Sequence, residues 1–76
     1  MSDMRLRQMI ADALKCRPAE IEILDFDESI TADKEFSFTI WYKRKRYEVR
    51  FVRKQLQYVM DESGATLYRN PKGRAL

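Results

Sequence analysis

The chain contains no histidine, which removes histidine-based triads, proton shuttles and zinc sites built on imidazole. Its one cysteine, Cys16, rules out an internal disulfide and suits a reducing compartment. The two glycines, Gly64 and Gly73, cannot form a phosphate-cradling loop. No apolar run approaches the ~18 residues of a membrane span, so no membrane partner is expected. Met1-Ser2-Asp3-Met4-Arg5-Leu6-Arg7 places charges where a secretion signal needs its apolar stretch, and the expected location is the cytoplasm. What remains is 76 residues, 45% hydrophobic and 36% charged, the balance of one small soluble globular domain. A chain of this size buries only about 60% of its unfolded surface, enough for a thin two-layer core and no deep cleft.

The net charge of +3 hides a strong segregation. Residues 18–42 carry Glu20, Glu22, Asp25, Asp27, Glu28, Asp33 and Glu35 against Lys34 alone. Residues 43–54 then carry Lys43, Arg44, Lys45, Arg46, Arg50, Arg53 and Lys54 against Glu48 alone. Two neighbouring strands of opposite sign can neutralise each other across a sheet. A compact basic hairpin can equally face a polyanion.

Along the chain, Leu6, Met9, Ile10, Ala13 and Leu14 recur at the three-and-four spacing of one helix face. Ser2 or Asp3 caps that helix, and Pro18 closes it at Arg17. From Glu20 the period changes to two. Ile21 and Ile23, then Leu24 and Phe26, alternate with acids, and the phase slip at Ile23-Leu24 predicts a bulge or bend. Phe36, Phe38, Ile40 and Tyr42 predict a second strand; Tyr47, Val49 and Phe51 predict a third. A turn at Arg44-Lys45 sets Tyr42 against Tyr47, Ile40 against Val49 and Phe38 against Phe51, although it lacks the Asn or Gly such a turn favours.

Residues 53–62 fit either element. A helix there starts with Arg53-Lys54 and ends with Asp61-Glu62, opposite to the order the helix dipole favours, and no capping residue precedes it. A strand burying Leu56, Tyr58 and Met60 is therefore expected, turning at Arg53-Lys54 and entering a hairpin with Gly64 left-handed. The predicted fold is α+β: one N-terminal helix packed on one face of a four- to five-stranded antiparallel β-meander. The alternative is αβββα with a second helix over 53–63, the order of double-stranded-RNA-binding domains. Residues 1–69 form the expected single domain and 70–76 a disordered basic tail. The expected core is Leu6, Met9, Ile10, Leu14, Ile21, Ile23, Phe26, Phe38, Ile40, Val49, Phe51 and Leu56.

Little in the chain points to catalysis. A general base would have to be a carboxylate, lysine or tyrosine with a shifted pKa, and Cys16 beside Arg17 has no partner base in the pattern. Asp25, Asp27, Ser29, Thr31 and Asp33 occupy the odd positions of a calcium loop, but Ile30 stands where the glycine is needed and Phe36 where the bidentate glutamate is needed. A non-enzymatic domain without cofactor, metal or small-molecule substrate is the expectation.

Tyr47-Glu48-Val49-Arg50-Phe51 and Tyr58 to Leu67, with Asp61-Glu62-Ser63-Gly64 as a D-x-x-G turn, resemble the strand–strand ending of PepSY domains; no function is carried over from it. The residues expected to bind are Trp41, Lys43, Arg44, Lys45, Arg46, Arg50, Arg53 and Lys54. Trp41 shares the strand face opposite Phe38 with Arg50, where it either anchors a partner or packs under arginine stems or the tail. A protein partner or self-association through that face or a strand edge is the leading expectation. Nucleic-acid or polyanion binding by the basic hairpin 43–54, with Trp41 stacking on bases, is the alternative.

Overall fold

The computed structural model describes residues 2–71. Helix α1 spans Asp3–Leu14, with the Ser2 hydroxyl accepting from the Arg5 amide at 3.3 Å, which satisfies one of the orphan first-turn donors. Leu6, Ile10 and Ala11 are fully buried, while Met9, Ala13 and Leu14 border the core. The helix ends earlier than Pro18 requires. Lys15 takes the left-handed conformation at φ 59°, and the amides of Lys15 and Cys16 both reach the Ala11 carbonyl, closing the last turn. Pro18 instead opens a short 3-10 turn, Pro18–Glu20.

Five strands follow: β1 (Glu22–Leu24), β2 (Glu35–Tyr42), β3 (Lys45–Val52), β4 (Gln55–Asp61) and β5 (Thr66–Arg69). They pair in chain order as one antiparallel meander, so the fold is α+β and 53–62 holds a strand. The inner face carries Phe36, Phe38, Ile40, Tyr42, Tyr47, Val49, Phe51, Leu56 and Val59 against α1. Phe36 stacks on Phe51 at 5.3 Å between ring centroids, and Phe26 meets Phe38 edge-on at 5.5 Å. Among the described residues, no helix is long and apolar enough to cross a membrane.

Three local expectations are corrected. The first hairpin turns at Lys43-Arg44, one residue earlier than expected, and pairs Tyr42 with Lys45, Ile40 with Tyr47, Phe38 with Val49 and Phe36 with Phe51. Moving a two-residue turn by one position slides the register by two, which leaves every side chain on its expected face. In β4, Arg50 opposes Tyr58 and Phe51 opposes Leu56, so Gln57 is the extra residue of a bulge. Val59 is thereby fully buried, and Tyr58 and Met60 turn to the open face instead of the core. The phase slip of the first strand sits at Asp25, φ 49°, which brings Phe26 back over the inner face while Leu24 stays on the outer one.

At the C-terminal end, Asn70 continues the ladder beyond β5. Its amide donates to the Gln57 carbonyl at 2.7 Å, and its side-chain nitrogen donates to the Leu56 carbonyl at 3.0 Å. The rest of the expected tail, 72–76, lies outside the described residues.

Candidate docking surface at the hairpin tips

Helix α1 covers one face of the sheet, and side-chain alternation assigns the residues of the other. Trp41 of β2 lies between Glu22 of β1 and Arg46 of β3. Leu24, Thr39, Glu48 and Met60 form the next row; Ser37, Arg50, Tyr58 and Arg69 form the row beyond. Trp41, on this face, is 41% exposed.

The seven basic residues of 43–54 do not form one patch. In a meander, successive turns alternate between the two ends of the sheet. The Lys43-Arg44 turn and the Asp61-Glu62-Ser63-Gly64 turn share one end; the Arg53-Lys54 turn lies at the other, where the Arg53 amide donates to the Lys34 carbonyl at 2.6 Å. The length of β3 separates these ends by about 24 Å at ~3.4 Å per residue. Arg50, nearer the Arg53-Lys54 end of β3, is ion-paired to Glu35. Lys45 is held 3.9 Å from Asp61, and Lys43 lies over the Tyr42 ring. Among the described residues, the side chains of Arg44 and Arg46 have no hydrogen-bond or ion-pair partner.

Pattern reading missed the wall opposite these arginines. Trp41, Arg44, Lys45 and Arg46 border a notch of about 300 Å³ whose far side is Asp61, Glu62 and Ser63. The parity of turns in a meander was the available signal, since it puts the first and third hairpin turns together. Asp61 is the organiser of its own turn. One of its carboxylate oxygens accepts from the Ser63 amide at 2.9 Å, the Ser63 hydroxyl at 2.7 Å and the Ala65 amide at 2.9 Å. The Ser63 hydroxyl bond first, then the backbone amides and Lys45, hold its pKa below the usual carboxylate value. Gly64, at φ 93°, supplies the left-handed residue of this turn.

Lower on the face the polar groups satisfy one another. Tyr58 donates to Glu48 at 3.3 Å, and the Arg69 guanidinium lies over the Tyr58 ring at 5.9 Å. Burial, followed by the Glu48 charge, raises the Tyr58 pKa, so the hydroxyl stays a donor. The remaining candidates are turned to packing. Burial pushes the half-buried Cys16 thiol up, even though the Tyr42 hydroxyl bonds to it, which is the wrong direction for a nucleophilic thiolate. In the 25–33 loop, Asp27 caps the 3-10 turn Glu28–Ala32 by accepting from the Ser29 amide at 3.0 Å. Thr31 is buried there and donates to the Glu28 carbonyl at 2.8 Å. Among the described residues, no three or more carboxylates or thiols are grouped so that they could hold a metal ion.

No family model matches the chain, and comparison with curated proteins and with solved structures gives no significant match.

Proposed function

We propose that the chain is a non-catalytic binding domain that docks a protein partner on the open face of its sheet, with Trp41 at the centre of the contact. The observation that carries this reading is the placement of the only tryptophan. It is 41% exposed on a face of mixed charge, beside two guanidiniums that no described residue engages. Trp and Arg are the residues most enriched among interface hot spots. The lower half of the face is already ion-paired and forms a polar rim for such a contact. Its lone, free Cys16 fits a cytoplasmic setting.

Polyanion binding has less support. Glu22, Glu35 and Glu48 stand on the same face as Trp41, and the basic residues divide between the two ends of the sheet. A continuous phosphate chain following β3 would meet these carboxylates.

The test places a photo-reactive benzoylphenylalanine at Thr39, in the row beside Trp41, in cells, with the same group at Lys54 as a control at the opposite end. The expected result is a discrete adduct at position 39 that is protease-sensitive, nuclease-resistant and lost on Trp41→Ala, and absent at position 54. A nuclease-sensitive adduct would replace this reading with the polyanion one. No adduct at 39, or equal adducts at both positions, would overturn it.

A further inference from the structure

We infer that the notch between the two hairpin tips receives an acidic linear peptide segment of another protein, an inference that rests on the docking reading above. Arg44 and Arg46 lie two positions apart, with Lys45 between them held 3.9 Å from Asp61. The pairing within the notch therefore leaves two cations against the single free carboxylate of Glu62. A guanidinium presents a planar fork that matches a carboxylate bidentately. Arg46 is also the cross-strand partner of Trp41. The Tyr42–Lys45 pair flanks the two-residue turn and is hydrogen-bonded, so the adjacent 41–46 pair is of the closer, non-hydrogen-bonded kind. A carboxylate on the arginines thus lies within one residue of an apolar group on the indole.

The borders of the notch decide between kinds of anion. Its volume of about 300 Å³ holds one or two side chains. Glu22 stands on the far flank of Trp41, and Glu62 forms the opposite wall. A polynucleotide carries charge at every step and would set phosphates against one or both. A peptide can place its charge on the arginines alone and neutral or basic residues beside Glu22 and Glu62. The chain's own acidic segment, 25–34, joins β1 to β2 at the opposite end of the sheet and cannot fold back into the notch.

Selection from a random dodecapeptide phage library against the intact protein tests this, followed by anisotropy titrations of the enriched peptides at about 50 and 200 mM salt. Trp41→Ala and the pair Arg44→Gln with Arg46→Gln alter exposed side chains, and circular-dichroism melts verify their folding. The expected outcome is enrichment of sequences rich in Asp and Glu. Their binding weakens about tenfold or more in the double glutamine variant, is lost in Trp41→Ala and tightens in Glu62→Gln. Enriched peptides without acids that still require Trp41 would overturn the acidic-segment inference and leave the docking reading standing. No enrichment, or peptides indifferent to both Trp41 and the arginines, would overturn both. Sedimentation of the protein alone as a dimer, lost in the double glutamine variant, would make the occupant a second copy and overturn the inference.

Discussion

Lys43, Arg44, Arg53 and Lys54 stand at φ of 51°, 64°, 54° and 65°, so both two-residue hairpins turn entirely on cationic residues in the left-handed region. The right-handed twist of paired strands demands this backbone, the type I′ turn, whose preferred residues are Asn and Gly. A side chain in that region costs about 1–2 kcal/mol. Replacing Lys43 by Asn and Arg44 by Gly is therefore expected to stabilise the domain by about 1–2 kcal/mol, raising its melting temperature by roughly 4–8 °C per kcal/mol. The same exchange at Arg53-Lys54 is expected to stabilise equally, and thermal melts of both variants check the pair. Only the first should weaken a contact centred on Trp41. Asp61 makes a second residue-scale prediction. Because folding lowers its pKa, its contribution to stability is present above the unfolded value of about 3.8 and is lost as pH falls through the lower folded value. Asp61→Asn is expected to melt below the wild type at pH 6, with the gap closing toward pH 3. At this scale the cationic turns hid their own geometry. Without Asn or Gly to mark it, the expected turn fell on Arg44-Lys45, and only the parity of the slide kept Phe38, Ile40 and Tyr42 on the inner face.

Each element was legible to the extent that a long periodic run defined it. The five apolar positions of α1 and the alternation from Phe36 to Tyr42 each repeat often enough to fix a face. The dipole order of Arg53-Lys54 and Asp61-Glu62 correctly disfavoured a helix over 53–62. Alternation alone could not locate the bulge. One extra residue inverts every side chain beyond it, and nothing about Gln57 marks it as that residue. The consequence is measurable within β4. Val59→Thr buries a hydroxyl in the core and is expected to cost about 1–3 kcal/mol, whereas Met60→Thr changes the open face and should cost under about 1 kcal/mol. The unbulged strand expected from sequence reverses that order, so chemical denaturation of the two variants decides between the registers. The candidate site suffered from the same limit. Trp41 and Arg46 could be assigned to a face from their own strands, but Asp61, Glu62 and Ser63 come from an element whose existence had to be settled first.

Over the whole molecule, the charge blocks were plain in the sequence, and their pairing was not. Cross-sheet neutralisation between the acidic block and the basic block is realised by one described pair, Arg50 with Glu35. Glu20 pairs with its neighbour Arg17, and Lys45 pairs with Asp61 of β4. Asp25, Asp27, Glu28 and Asp33 have no ion-pair partner among the described residues, and neither do Arg44, Arg46, Arg53 or Lys54. The topology explains this for Arg44 and Arg46. The acidic segment joins β1 to β2 at one end of the sheet, while Lys43 to Arg46 cap the other, about 24 Å away along β3. Attraction over that distance spans more than two Debye lengths at ~0.1 M salt, where that length is about 10 Å, whereas Arg44 and Arg46 repel Lys43, Lys45 and each other over a few ångströms. Arg53 and Lys54 stand at the acidic end, where the Arg53 amide meets the Lys34 carbonyl. Salt from about 50 to 500 mM therefore screens repulsion at one end and attraction at the other. Substitution separates the two. The Arg44→Gln, Arg46→Gln variant is expected to show a less positive change in melting temperature across this range than the wild type, and Arg53→Gln with Lys54→Gln a more positive one. Equal salt responses in the three proteins would mean that the unpaired cations at neither end contribute to stability.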